Sequence, residues 1–99
     1  MELTSKQRAQ LRGLANSIDT IVQIGKDGIH ENLIAQLNDV LEARELIKIK
    51  VLETAMLTAR EASEAVCEAT GADPVQCIGT KFVIYRPNSE KPVIILPKA

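Results

Sequence analysis

Residues 20–51, TIVQIGKDGIHENLIAQLNDVLEARELIKIKV, change their hydrophobic period twice, and that change decides the fold. Thr20 to Ile24 is short and β-branched, and Gly25 stops it, which is how a strand ends. Gly25-Lys26-Asp27-Gly28 follows as a tight loop. Beyond it Leu33, Ile34, Leu37, Val40 and Leu41 recur at helical spacing and leave Glu31, Asn38, Asp39 and Glu42 outside, so a helix opens near Ile29 or His30. From Glu45 to Val51 the period drops to two: Ile47, Ile49 and Val51 fall on one side, Leu46, Lys48 and Lys50 on the other. One side should face a core and the other mostly water. The stretch is a strand, loop, helix and strand, the alternation of an α/β protein.

The flanks extend this pattern. Thr4-Ser5-Lys6-Gln7 has the form of a capping box, opening a first helix that places Leu11, Leu14 and Ile18 at helical spacing and ends near Ala15. Thr58-Ala59-Arg60-Glu61 is a second box. It opens a helix with an expected inner stripe of Ala62, Ala65, Val66 and Ala69, closed by Gly71 and Pro74. Val75 to Ile78 and Phe82 to Arg86 read as a hairpin around Gly79-Thr80-Lys81. Val93 to Leu96, set between Pro92 and Pro97, reads as a brief edge strand. The expected architecture is an α/β (α+β) two-layer sandwich of order α-β-α-β-α-β-β. Its mixed sheet has about four strands, with helices on one face and the other face left for a partner.

Composition bounds the function. At 99 residues, 45% apolar and 25% charged, the chain fits one domain over its whole length. One Phe and one Tyr leave the core to aliphatic residues and leave little area for a deep substrate pocket. No apolar run reaches the length of a membrane span and the first residues lack a secretory stretch, so a cytoplasmic protein without a membrane partner is expected. Cys67, Cys77 and the single His30 make no zinc set, and both cysteines are expected to be buried small hydrophobes. No metal or cofactor is expected. Catalytic groups are sparse as well: no serine sits in an elbow motif, and His30 reads as a surface or turn residue, so neither an enzyme nor a small-molecule substrate is expected.

The net charge of −1 disguises its distribution. Between Leu3 and Ile18 the charges are Lys6, Arg8 and Arg12 alone, whereas Arg60 to Asp73 sets Glu61, Glu64, Glu68 and Asp73 against one arginine. Folding can therefore gather a basic patch on an acidic molecule.

The Gly25 to Gly28 loop is where chemistry can occur. Glycines let a phosphodiester approach the backbone, because no Cβ intervenes, and the helix that follows aims its amides and positive dipole end at the same spot. Lys26 adds a cation; Asp27 opposes it unless it turns away to cap the helix. Glycines at this spacing also make ordinary turns, but a strand before and a helix after match the position of the backbone clamp in KH modules. The motif lacks the features of Rossmann and P-loop fingerprints. Lys48 and Lys50 on the outer side of their strand, with Lys81 and Arg86 nearby, are candidate phosphate contacts, as are Lys6, Arg8 and Arg12. Tyr85 and Phe82 read as core residues rather than base-stacking platforms.

Leu-Thr-Ser-Lys-Gln-Arg at 3–8, Ile-Gly-Lys-Asp-Gly-Ile at 24–29, Leu-Glu-Ala-Arg-Glu-Leu-Ile-Lys-Ile-Lys-Val at 41–51, Val-Gln-Cys-Ile-Gly at 75–79 and Val-Ile-Tyr-Arg-Pro at 83–87 together resemble the CRM domain. This is the RNA-binding YhbY-like family, named for chloroplast RNA splicing and ribosome maturation. The resemblance implies a fold similar to the C-terminal domain of a bacterial translation initiation factor, and an RNA partner, either ribosomal RNA or pre-ribosomal particles of the large subunit. It implies that Gly25, Lys26, Asp27 and Gly28 form the family's GxxG loop and that Lys6, Arg8, Arg12, Lys48, Lys50 and Arg86 are further RNA contacts. Many members are markedly basic, and this chain is not. The competing expectation is a module that docks a ribosomal protein through its acidic helices.

Overall fold

A computed structural model describes residues 3–90 and Ile94. The element order is α1 (Ser5–Ala15), β1 (Thr20–Ile24), α2 (Glu31–Arg44), β2 (Leu46–Val51), a short 3-10 turn (Glu53–Ala55), α3 (Ala59–Thr70), β3 (Asp73–Ile78) and β4 (Lys81–Tyr85). Both capping boxes form: the Thr4 hydroxyl accepts from the Gln7 amide while the Gln7 side chain accepts from the Thr4 amide, and Thr58 and Glu61 repeat the exchange. Each box satisfies two backbone donors that a helix start otherwise leaves open.

The four strands lie in the order β1-β2-β4-β3. β1 runs parallel to β2, and β4 runs antiparallel to both β2 and β3, giving the expected mixed sheet with three helices. β4, last in sequence, is inserted between β2 and β3. β3 is therefore an edge strand, which is why it can hold Pro74 within its span; it begins at Asp73, two residues before the expected start at Val75.

The period-two alternation of β2 and β4 divides the core. Ile47, Ile49, Val51, Phe82 and Ile84 point to one face, where Leu33, Leu37 and Leu41 of α2 and Ala59, Ala62 and Val66 of α3 close over them. Most of these side chains are fully buried. Each fully buried Val, Leu, Ile or Phe among them contributes roughly 1.5–3 kcal/mol. Leu46, Val83 and Tyr85 point to the other face and meet Leu11 and Ala15 of α1 together with Val75. The second face is thus not left wholly open: α1 covers the Leu46 and Tyr85 end and leaves the lysine end of β2 uncovered.

Other local expectations shift in register. The buried stripe of α3 is Ala59, Ala62, Ser63, Val66 and Thr70, with Ala65 and Ala69 exposed. Ser63 and Thr70 were not read as inner positions because they are polar, but the Thr70 hydroxyl donates to the Val66 carbonyl at 2.8 Å, which permits burial. Cys67 is half-buried, and burial pushes its thiol pKa up to about 11. Cys77 is exposed, contrary to expectation, because it sits on the edge strand. The expected strand Val93 to Leu96 lies outside the described residues except for Ile94, whose amide donates to a carboxylate oxygen of Glu45 at 2.7 Å. Glu45 itself closes α2 with φ of +66° and is 1% exposed. Its carboxylate also accepts from the Asn88 amide at 2.7 Å, and these bonds hold a conformation that non-glycine residues seldom adopt.

Candidate functional site

Because β1 and β2 are parallel, both leave the sheet at the same end. The Gly25 to Gly28 loop follows β1 there and the turn through Leu52 follows β2, while the β3–β4 hairpin at Gly79 and Thr80 reaches the same end from the other side. The backbone knits them: the Leu52 amide donates to Ile24 O at 2.9 Å and the Val51 amide to Thr80 O at 2.7 Å.

Within the loop the Gly28 amide donates to Gly25 O at 2.9 Å, closing a four-residue turn with Lys26 and Asp27 exposed at its apex. Gly28 has φ of +66°, the left-handed region that glycine enters without steric penalty. Ile29 then drops into the core, and His30 caps α2, its Nδ1 accepting from the Leu33 amide at 3.2 Å. A histidine cap was not legible beforehand, since Ser, Thr, Asn and Asp dominate that position. With the cap taken, Asp27 stays at the exposed apex, so the loop's own side chains sum to no net charge. Attraction for an anion there comes from the backbone, where the first-turn amides of Glu31 and Asn32 have no intrahelical acceptor, and from neighbouring lysines.

Those neighbours are on the sheet. Across the face that α1 leaves uncovered, Gln23 pairs with Lys50, Lys50 with Lys81, and Lys81 with Ile78, one side chain from each strand in a single cross-strand row at the loop end. The next row holds Lys48, Val83 and Gln76. Lys26 and Lys81 are exposed, Lys48 and Lys50 half-buried. Among the described residues the single ion pair is Arg86 with Glu42, so these four lysines face no carboxylate at ion-pair distance. Between the second row and the end of α1 runs a groove of about 210 Å³, lined by Ala15, Asn16, Lys48, Gln76, Ile78, Lys81 and Val83.

The other cations read from the sequence are placed elsewhere. Lys6 is exposed on the first turn of α1. Arg8 lies at the start of β3, where its Nε donates to Pro74 O at 3.3 Å. Arg12 is exposed one turn further along the same stripe of α1 as Arg8. Arg86, also expected as an RNA contact, lies apart from the lysine face. It ends β4 at the pole opposite the glycine loop, and its guanidinium donates to Asn38 Oδ1 and to Thr70 O, each at 2.7 Å, and to Asn38 O at 3.0 Å. It joins the C-terminal ends of α2 and α3 and has no role at the lysine face.

Tyr85 and Phe82 are 1% and 0% exposed, so neither offers a ring for stacking. The residues that sequence reading missed are Gln23, Gln76, Asn16 and Ile78. Alternation alone marks Gln23 as outward, but their neighbourhood with the lysines depends on strand order.

The sequence matches the CRS1/YhbY (CRM) domain across residues 3–86. The chain is 39% identical over 95 residues to Probable RNA-binding protein YqeI of Bacillus subtilis, covering 96% of this chain and 99% of that protein. It is 38% identical over 96 residues to an RNA-binding protein of Haemophilus influenzae, covering 97% and 96% respectively. The solution structure of the hypothetical protein SAV1595 from Staphylococcus aureus superposes with a TM-score of 0.76 at 47% identity, covering 97% of this chain and all of that one. The match spans the glycine loop, both lysine rows and every helix and strand, and the chain belongs to the CRS1/YhbY (CRM) domain family.

Proposed function

We propose that this protein binds structured RNA through the Gly25 to Gly28 loop and the lysine face beside it, recognising backbone and shape, and that it catalyses no reaction. The observation that carries this reading is the Lys50 and Lys81 pair, with Lys48 in the next row, at the sheet end where the turn bearing Lys26 follows β1; among the described residues none of these lysines pairs with an acid. Phosphates would sit against the loop backbone and the start of α2 while the lysines supply attraction over a longer range. The names of the relatives support RNA as the partner. We further propose, from the family resemblance, that the RNA is ribosomal and met on large-subunit precursors in the cytoplasm.

Lys26→Glu combined with Lys48→Glu tests the surface, since both side chains reach solvent and neither holds the fold. Affinity for an RNA hairpin should fall at least tenfold with the folded spectrum unchanged. Equal affinity would remove this face from the account. The apparent binding constant for RNA should also fall log-linearly with salt. Sedimentation of a lysate through a sucrose gradient tests the particle assignment: the protein should travel with large-subunit precursors rather than remain at the top.

A further inference from the structure

The groove under the end of α1 has chemistry that backbone recognition does not require. Val83 forms its floor, with Lys48 on one side and Gln76 on the other in the same cross-strand row. Lys81 and Ile78 form the row nearer the glycine loop, and Ala15 and Asn16 close the wall. Ile78 is 62% exposed, an apolar side chain left in water beside two cations.

Accepting the RNA-binding reading, we propose that this groove seats one unpaired base of the bound RNA and discriminates among the bases. Three observations lead there. Its volume of about 210 Å³ lies below the roughly 300–1,000 Å³ of pockets for drug-sized ligands, leaving room for one flat ring system and not for an extended molecule. The floor and one rim are aliphatic, from Val83, Ala15 and Ile78, a surface on which a ring can lie flat. The polar groups are of two kinds. Lys48 and Lys81 are placed for the phosphates on either side, while the carboxamides of Asn16 and Gln76 each offer a donor and an acceptor, as an unpaired base edge requires. A base inside a duplex cannot present its edge here, so the occupant is a nucleotide from a loop, bulge or strand end. The groove also continues the basic path: an RNA strand leaving the glycine loop crosses the Lys50 and Lys81 row before reaching Val83.

The test is amide NMR on the full chain, titrated separately with AMP, CMP, GMP and UMP and, in parallel, with a blunt RNA duplex. One mononucleotide should shift Asn16, Gln76, Ile78 and Val83 at least threefold more than the weakest of the four. The duplex should instead shift residues 25–31. Asn16→Ala with Gln76→Ala alters side chains that are exposed and half-buried, so the fold should persist. This variant should lose the discrimination, roughly tenfold in a bulged hairpin carrying the favoured base, while duplex affinity stays within twofold. Groove shifts equal for all four nucleotides, or absent while the duplex still binds, overturn the base pocket and leave backbone binding standing. Failure of both the nucleotides and the duplex to shift any residue overturns both.

Discussion

Lys50 lies directly opposite Lys81 across the antiparallel β2–β4 ladder. Facing like charges are unfavourable for a sheet, by about 0.2–1 kcal/mol, so the arrangement works against folding and is relieved when an anion lies over it. Lys81→Thr should therefore raise the stability of the free protein by a few tenths of a kcal/mol, because threonine also suits a strand. The gain should shrink in 1 M salt, where charges are screened beyond roughly 3 Å. RNA affinity should fall in the same variant. Denaturant titrations at low and high salt, paired with RNA titrations, check both halves; a variant that loses stability contradicts the electrostatic account.

The two loop glycines make separate predictions. A methyl group on Gly25 would meet Leu52 Cδ1 at 3.7 Å and Thr54 Oγ1 at 3.8 Å, ordinary contact distances, and Gly25 does not have positive φ. Gly25→Ala should thus keep its melting temperature, yet bind RNA several-fold more weakly if phosphate approaches the bare backbone. A methyl group on Gly28 meets nothing within 4 Å, but its φ of +66° costs an L-residue about 1–2 kcal/mol. Gly28→Ala should melt at least about 4 °C lower. Thermal scans with RNA titrations separate the cases, and equal melting losses in both variants would contradict the backbone geometry.

Much of this was readable in the chain, for reasons specific to each element. Strand β1 has the expected bounds because Gly25 ends it, and the boxes at Thr4 and Thr58 mark two helix starts because their bonds are local. Local bonding cannot reveal that β4 slips between β2 and β3. That insertion alone sets Lys50 against Lys81 and brings Gln76 beside Val83, so the groove was invisible from the sequence. The placement of α1 on the second face was equally hidden, since Leu11 and Ala15 would suit either face. The bonds of Arg86 were hidden for a related reason: the strand it follows gives no sign of the helix residues that surround it.

Those helix ends make Arg86 a structural residue. Its guanidinium accounts for the Thr70 carbonyl at the end of α3 and both oxygens of Asn38, while its 3.5 Å pair with the exposed Glu42 carboxylate adds little. Arg86→Ala leaves these acceptors without their charged donor and should lower unfolding free energy by about 1.5–3 kcal/mol. Arg86→Lys should recover only part, because an ammonium cannot span the same fork. RNA affinity measured on the folded protein should not change. Urea denaturation gives the first quantity; a loss of RNA binding at retained stability would return Arg86 to the interface.

The paired capping boxes provide an internal control for acid sensitivity. In α3 the partner is Glu61, whose pKa is held below its ordinary 4.5 chiefly by the bond from the Thr58 backbone amide. In α1 the same position is Gln7, which does not titrate. Because the folded state lowers the Glu61 pKa, its contribution is fully present above pH 4.5 and disappears as pH falls through the lowered value. Glu61→Gln keeps a side-chain oxygen for the Thr58 amide and removes the proton equilibrium. The variant should match the parent near neutral pH, apart from a small loss of favourable charge at the helix start, and should lose less stability as pH falls below 4.5. Chemical denaturation at stepped pH checks this. Parallel acid profiles for parent and variant would mean that the Glu61 bond contributes nothing to acid unfolding, leaving Glu42, whose pKa is lowered first by the Ser89 hydroxyl, as the next carboxylate to replace.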